Sequence, residues 1–217
     1  MLERHLFTAA LLLFSLTSHA NAQSTSRPPA EAQVPDFNAS TGLIRVPSAY
    51  VQHDDTVSIF GAAVPHTAIG GAIVGIANRV EIGVASRDIG GDRVIGTAKV
   101  SVLPEQLLRP AVSVGVIDRS QYVVVSKFLI PYFVEAATGR KHVAVKLHAG
   151  YGDGLFRRTV FGGIEVVGDG GVSVIGEVVG GHGSGGLRYV HGGWSATAAM
   201  LDSKNAAGSV GYAVDLR

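Results

Sequence analysis

The stretch HVAVKLHAG, residues 142–150, places an apolar side chain at every second position. Successive side chains of a β-strand point to opposite faces, so Val143, Val145 and Leu147 share one face of such a strand. Lys146 and the two histidines share the other face. The fold class depends on which face meets the interior and which meets the surroundings.

The same alternation recurs from Asp55 onward, in short runs of Val, Ile and Ala that are divided by Gly, Asp, Asn or Pro. No segment shows a sustained helical period, so we predict an all-β fold. Strands of about 9–11 residues in even number are typical of an antiparallel transmembrane β-barrel, here of about twelve strands. A barrel of about ten strands and a soluble β-sandwich or barrel are the alternatives. The predicted strands are 55–63, 69–77, 79–88, 93–103, 110–118, 120–130, 141–151, 158–167, 171–180, 185–191, 193–202 and 207–217.

The two faces of these strands favour the membrane barrel. In the third predicted strand, Val80 and Val84 lie on the face opposite Glu81. Only 16% of the residues are charged, against about 25% in a typical soluble domain. Such a deficit is expected when the outer face meets lipid and sparse polar groups line a lumen. The polar residues predicted to face the lumen are Glu81, Arg87, Lys99, His142, Lys146 and His148, with Glu165, Glu177 and Arg188 as further partners for charge pairs.

Aromatic side chains near strand ends are candidates for the girdles of a membrane barrel. The runs 69–77 and 171–180 are apolar on both faces, which favours a small barrel with a packed interior. The girdle candidates are Tyr122, Phe128, Tyr132, Phe133, Tyr151, Phe156, Tyr189 and Trp194.

The N-terminus has the pattern of an export signal. Arg4 and His5 precede an apolar run, and Ala20-Asn21-Ala22 matches the small-x-small cleavage pattern. We therefore predict a cleaved signal peptide over 1–22. Residues 23–35 are rich in Ser, Pro and Ala and are predicted to be a disordered leader. An extended N-terminal segment over 36–54 and the barrel over 55–217 complete the predicted organisation.

Composition excludes several classes of protein. Eighteen Lys and Arg stand against 17 Asp and Glu, so no basic surface for nucleic acid is indicated. The chain has no cysteine, which excludes a disulfide framework and a thiolate metal site. No run after the signal approaches 18 apolar residues, which excludes a helical membrane protein.

No catalytic, cofactor or metal site is predicted. The segment 181–186, GHGSGG, contains a G-x-G-x-x-G spacing, but no helix is predicted after it to bind a phosphate. We interpret it as a hairpin loop. The histidines of 142–150 are about 20 Å apart on an extended strand, too far to bind one metal ion together.

The segment TGLIRVPSA, residues 41–49, has a conformation that its own residues restrict. Pro47 fixes its φ angle and pushes Val46 toward extended geometry, and Gly42 permits a turn. This segment is expected to be ordered and outside the main ladder. It either tucks into the lumen or simply leads into the first strand.

The same segment resembles the opening of the YjbH-type outer-membrane β-barrel proteins, which are associated with bacterial exopolysaccharide production. NRVEIG at 78–83 is similar to an early strand motif of that family. YGDGLF at 151–156 with FGGIE at 161–165, and GLRY at 186–189 with the stretch 194–202, resemble its later hairpins. The residues that carry the opening motif are Thr41, Gly42, Leu43, Ile44, Pro47 and Ala49.

The C-terminus resembles the last strand by which the assembly machinery of the outer membrane recognises its clients. The residues of this signal are Gly211, Val214 and Leu216. A terminal aromatic residue is absent, and Arg217 follows Leu216.

These observations together predict a non-enzymatic β-barrel of the outer membrane of a Gram-negative-type bacterium. The resemblance implies an accessory role in exopolysaccharide production or export. A passive porin-like channel, a lipid-modifying enzyme barrel and a soluble secreted β-domain are the alternatives. The expected partners are outer-membrane lipid, the barrel assembly machinery, and polysaccharide or export components. No cofactor is expected.

Overall fold

A computed structural model of the protein describes residues 33–88, 93–129 and 144–216. The predicted signal peptide and His142 lie outside these residues. Twelve strands are described, together with two short 3₁₀ turns at Gly154–Phe156 and Asp169–Gly171. Among the described residues, no helix is long and apolar enough to cross a membrane. The strands are β1 Thr56–Val64, β2 Thr67–Ile76, β3 Val80–Arg87, β4 Arg93–Leu103, β5 Ala111–Ile117, β6 Ser120–Phe128, β7 Ala144–Gly152, β8 Thr159–Val167, β9 Val172–Val179, β10 His182–His191, β11 Trp194–Leu201 and β12 Asn205–Asp215.

The strands form one closed antiparallel barrel in which each strand pairs with its neighbours in the sequence. β1 and β12 close the ladder, with Thr56 opposite Asp215 and Ala63 opposite Gly208. The prediction of about twelve antiparallel strands in a barrel is confirmed, and the alternatives of ten strands and of a sandwich are wrong. We call the end where β1 begins and β12 ends the entry end, and the opposite end the far end.

The outward face of the barrel is apolar. Away from the strand ends, the outward positions of the described strands hold only Gly, Ala, aliphatic, Met or aromatic residues. Leu187 is 56% exposed and Val174 is 55% exposed. A water-soluble barrel would place such side chains inside, because burying apolar surface is the main driving force for folding.

The inward face carries the charged and hydroxyl side chains. Glu81 and Lys99 are each 1% exposed, although they lie in the middle of β3 and β4. In β7, Lys146 and His148 are buried in the lumen, and Leu147 lies on the outer face. The polar face of the opening stretch therefore points inward, with the apolar face on the exterior.

Residues 33–54, which we call the plug, fill the lumen. Pro35 bridges Thr41 and Gly42 bridges Pro47, so the segment folds back on itself instead of running extended as predicted. Apolar plug residues pack against inward residues of the strands and form the core of the molecule with them. These plug residues are Phe37, Ala39, Leu43, Ile44, Val46 and Ala49.

The plug enters and leaves the lumen at the entry end. Val34 and Pro35 line a small cavity with Ser195 and Tyr212 there. Both plug residues are buried, so the disordered leader predicted over 23–35 is wrong at its last positions. The physical reason is a backbone pairing that composition does not reveal: Gly42 N donates to Val34 O (3.1 Å).

Short turns with left-handed backbone connect many of the strands. Gly180 and Gly181 have φ angles of 58° and 81°, a pair of positive values that matches the twist of a tight hairpin. The loop predicted over 181–186 is wrong beyond these two glycines. Gly185 pairs with Gly176 inside the β9–β10 ladder, because alternating small residues still satisfy the backbone hydrogen bonds.

Two of the predicted girdle residues are buried in the lumen. Tyr122 and Phe156 pack with Phe161 at the far end, with ring centroids 4.4 Å apart for the two phenylalanines. Strand phase explains the error at Tyr122, which shares the inward face of β6 with Val124, whereas Phe156 lies in the 3₁₀ turn before β8. Phe128 is half-buried against Tyr50. The outward candidates are Tyr151, Tyr189 and Trp194, while Tyr132 and Phe133 lie outside the described residues.

Candidate functional site

The candidate site is the contact between the plug and the inward side chains of the barrel. Glu81 on β3 forms its first anchor. Its carboxylate accepts hydrogen bonds from Ser40 Oγ (2.8 Å), Thr41 N (3.0 Å) and Gln52 N (2.9 Å). Lys99 on the neighbouring strand lies 3.1 Å from the same carboxylate. The buried charge is therefore both paired and hydrogen-bonded, as a charge in a dry interior must be.

Lys99 also contacts the plug directly. Its Nζ donates to Thr41 O (3.0 Å), so the backbone of one plug residue, Thr41, is bound by a cation at its carbonyl and by an anion at its N–H group. Neighbouring strands bring these groups together, because Glu81 is opposite Lys99 in the β3–β4 register. The arrangement fixes the first half of the plug against two strands.

Glu177 on β9 forms the second anchor. Its carboxylate accepts hydrogen bonds from the backbone N–H groups of Ile44 (3.1 Å), Arg45 (3.0 Å) and Val46 (3.1 Å). Three successive amides converge on one acid, and such charge-assisted bonds are stronger than neutral ones. The Glu177 side chain is fully buried and also lies 3.4 Å from Arg45 Nε.

The tip of the plug is Arg45, which reaches the far end. Its Nη2 donates to Ser184 Oγ (2.7 Å) and to Asp202 Oδ1 (2.8 Å) in the β11–β12 turn. Arg45 therefore ties the tip of the plug to β9, to β10 and to that turn. The arginine remains one-quarter exposed at its side chain.

Glu165 links two basic side chains of the lumen. Lys146 Nζ lies 3.3 Å from Glu165 Oε2, and Arg188 Nη1 lies 3.3 Å from Glu165 Oε1. Arg188 also donates to Leu43 O in the plug. The Glu165 carboxylate therefore joins β7, β8 and β10, and Arg188 connects this network to the plug.

Hydroxyl groups hold the return half of the plug. Ala49 N donates to Ser126 Oγ (2.7 Å), and Ser113 Oγ donates to Ala49 O (2.6 Å). Ser126 Oγ lies 2.7 Å from His148 Nδ1. Since Ser126 already accepts from Ala49 N, its own proton is free to be donated to His148 Nδ1.

Asp36 is a buried acid within the plug. Burial raises its pKa to about 7, although the backbone N–H groups of Ser40 and Asn38 and the charge of Lys99 oppose this change. Its Oδ1 accepts both backbone bonds, at 3.0 Å from Ser40 N and 2.7 Å from Asn38 N. Its Oδ2 is buried and has no hydrogen-bond partner among the described residues. This geometry suits a protonated side chain.

The residues predicted to face the lumen lie mostly where the strand phase places them. Glu81, Lys99, Lys146 and His148 are buried inside, whereas Arg87 lies half-exposed at the far end of β3. His142 lies outside the described residues. Of the further charge partners, Glu165 pairs with Lys146 and Arg188, but Glu177 pairs with the plug residue Arg45.

Sequence reasoning missed the partners that the plug provides. The sequence does not identify Arg45, Ser113 and Ser126 as site residues, because their partners are distant in the sequence. The inward phase of Ser113 and Ser126 was the available signal, since both share a face with buried positions of β5 and β6. No comparable signal existed for Arg45.

The proposed assembly signal lies on the last strand. Gly211 faces inward opposite Phe60, where a Cβ would meet Ser195 Oγ at 2.8 Å. Val214 and Leu216 are exposed, and Leu216 N donates to Asp55 O (2.8 Å) beside the closing pair of strands. These positions contribute to closure of the barrel.

The described residues contain no group of three or more acids or histidines that could hold a metal ion. Ser126 Oγ and His148 Nδ1 are in contact within the described lumen, and both residues are buried beneath the plug. Their arrangement is a structural hydrogen bond, since the serine also holds Ala49 N. Comparisons with known protein families and with curated proteins give no match for this sequence.

Proposed function

We propose that this chain is a non-enzymatic barrel of the bacterial outer membrane whose lumen is closed by its own N-terminal plug. The observation that supports the proposal is the inversion of polarity between the two faces. Exposed Leu187 and Val174 lie outside, and the charged pair Glu81–Lys99 lies inside. A lipid environment makes that distribution favourable, because the apolar face meets acyl chains and the closed ladder pairs the backbone groups of the strands.

The plug distinguishes this proposal from a passive channel. A porin-like function needs a continuous aqueous path, but here apolar and hydrogen-bonded plug residues fill the described lumen. Anchors at Glu81 and Glu177 hold the plug on two sides of the barrel. We therefore expect the intact protein to be non-conducting.

The role in exopolysaccharide production rests on the resemblance to YjbH-type proteins. The motif residues are those that hold the plug: Thr41 bonds to Glu81, and Ile44 bonds to Glu177. Gly42 is required by close packing, because a Cβ there would lie 2.3 Å from Val46 O. We propose that the closed barrel serves export machinery as a membrane-embedded accessory, with polysaccharide or export components as partners.

The remaining alternatives have less support. A lipid-modifying enzyme needs reactive groups that a lipid can reach, and Ser126 and His148 are shielded by the plug. A soluble secreted domain would expose a continuous apolar surface around the barrel, which favours aggregation.

Fractionation combined with heat-modifiable gel mobility tests location and barrel closure together. We expect the protein in the outer-membrane fraction, with faster migration before boiling than after it. Recovery of all the protein in the soluble periplasm would overturn the proposal. Normal recovery from membranes with a stable ionic conductance would instead identify a channel.

A further inference from the structure

The far end of the barrel carries a group of basic side chains beside the apolar outer face. We call Arg157, Arg158, His182 and Lys204 the far-end cluster; all four are exposed. Arg157 Nη1 lies 3.1 Å from His182 Nε2, so the loop before β8 reaches across to the start of β10.

The turn that carries Lys204 joins the same region. Ser203 Oγ donates to Gly183 O (3.4 Å), one residue from His182. In the described part of the chain, neither Arg158 nor Lys204 belongs to an ion pair. Three connections that are distant in sequence therefore meet at one part of the rim, and two of them bring the charges of Arg157, Arg158 and Lys204 there.

The acids nearest to this cluster in the sequence are already engaged. Asp202 binds Arg45 at 2.8 Å, and Asp153 Oδ1 accepts the backbone N–H of Gln121 at 2.6 Å. Asp202 is therefore bound to the plug, and Asp153 is bound to the start of β6. The cluster is thus left with an excess of basic groups.

The backbone at the centre of the cluster is strained. Arg157 and Arg158 have φ angles of 58° and 56°, in the left-handed region that residues with a Cβ rarely occupy. Glycine or asparagine would adopt this turn more easily.

Below the cluster lies an aliphatic part of the outer face. Val160 on β8 is 70% exposed, and Val178 on β9 is also exposed. Gly162 is opposite Val178 in the ladder, so a shallow surface separates these valines. A ligand that is anionic at one end and aliphatic at the other matches both parts of the site.

We infer that the far-end cluster binds the phosphate groups of an anionic outer-membrane glycolipid, whose acyl chains lie on the outward valines of β8 and β9. Guanidinium groups bind phosphate oxygens in a bidentate manner, which favours arginine at such a site. This inference rests on the proposed membrane location. It also assigns the far end to the outer leaflet.

The orientation has a topological basis. Both β1 and β12 meet the entry end, so an even-stranded barrel can insert by passing its far-end hairpin turns across the bilayer. The exported chain approaches from the periplasm, and the entry end then stays on that side. The far end consequently reaches the leaflet in which phosphorylated glycolipids are found.

The test uses the full mature chain, folded in neutral detergent micelles and titrated with bisphosphorylated lipid A, with native mass spectrometry as the readout. The variant R157N/R158N removes both charges and keeps residues that tolerate left-handed backbone. We expect at least a tenfold loss of lipid A retention with an unchanged unfolding midpoint. The matched control R79N, in an exposed turn at the entry end, should bind like the wild type.

Three outcomes would overturn the inference while leaving the proposed function intact. The first is retention of lipid A by R157N/R158N that equals retention by the wild type. The second is retention of dephosphorylated lipid A by the wild type that equals its retention of bisphosphorylated lipid A. The third is binding of an acidic polysaccharide in place of the lipid. Complete displacement of lipid A by millimolar inorganic phosphate would also overturn the inference, because it would identify a site for free phosphate and not for a lipid. Failure of the wild type to show heat-modifiable mobility in lipid would overturn the proposed function together with this inference.

Discussion

Single carboxylates of the barrel hold the plug in place, and Glu177 accepts hydrogen bonds from three successive backbone N–H groups of the plug. It satisfies three backbone N–H groups that would otherwise be buried without an acceptor. Glu177→Ala should lower the free energy of unfolding by about 3 kcal/mol, because it leaves those donors and part of the Arg45 charge uncompensated. Urea unfolding of the barrel in lipid vesicles would measure the change. Glu177→Gln should lose less, since its amide oxygen still accepts hydrogen bonds.

The control for this prediction is Asp118→Asn at the exposed β5–β6 turn. Asp118 lies 3.8 Å from Arg93, a surface pair that contributes little to stability. An equal loss of stability for Glu177→Ala and Asp118→Asn would show that the plug is not anchored at Glu177.

Asp36 makes the stability of the folded protein depend on pH. Its pKa is raised by burial from 3.8 in a solvated chain to about 7 in the folded protein. The folded state binds the proton of Asp36 more tightly than the unfolded state does. The contribution of protonated Asp36 to the free energy of unfolding is therefore complete below about pH 3.8 and is lost as the pH rises through 7. Its upper limit is about 4 kcal/mol.

Asp36→Asn removes this titration and keeps an oxygen that accepts from Asn38 N and Ser40 N. The unfolding free energy of the wild type, relative to that of Asp36→Asn, should therefore fall between pH 4 and pH 8. Parallel stability profiles for the two proteins over that range would contradict the assignment. Detergent-solubilised protein with urea titrations at each pH provides the measurement.

At the scale of elements, the strands could be predicted and the path of the plug could not. Most of the twelve strands follow from the period-two alternation of polar and apolar residues. The two runs that are apolar on both faces, 69–77 and 171–180, follow from their aliphatic composition and from the turn residues that bound them. The plug depends on contacts such as Ile44 N to Glu177, between residues 133 positions apart. A sequence without repeats does not encode such partners locally, so Arg45 and its bond to Asp202 were missed.

Three predictions from the sequence fail for different physical reasons, of which strand phase is the first. The position of Tyr122 near a strand end predicts a girdle residue, but its phase within β6 directs the side chain into the lumen. The glycines of β10 favour a loop when only their composition is considered, but they pair with β9 because backbone hydrogen bonds need no side chain. Composition predicted a leader through residue 35, but Val34 joins the plug by backbone bonds.

The plug is also the element that separates a closed barrel from a channel. Deletion of 33–54 should leave the Glu81–Lys99 pair in a water-filled lumen, because that pair joins two strands and does not need the plug. We expect the deleted protein to conduct ions in planar bilayers and the intact protein not to. Conductance that is equal with and without the plug would contradict this role. Heat-modifiable mobility of the deleted protein serves as the check on its folding.

Across the whole molecule, apolar side chains face outward and charged side chains face inward, and this distribution is the basis of the membrane account. The outward belt of aliphatic residues surrounds the barrel, and the ion pairs and the plug occupy its interior. In water this distribution would expose the apolar surface that normally drives folding. In lipid it satisfies both the side chains and the closed backbone ladder.

Spin labels on β7 measure that orientation directly, with the refolded protein in lipid vesicles. A nitroxide at Leu147 should be relaxed strongly by lipid-soluble oxygen and weakly by a water-soluble nickel complex, because this side chain lies on the outward face. A label at Asp118, in an exposed turn, should show the reverse preference. If the nickel complex relaxes the label at Leu147 as strongly as the label at Asp118, the outer face of the barrel meets water and the membrane account is wrong.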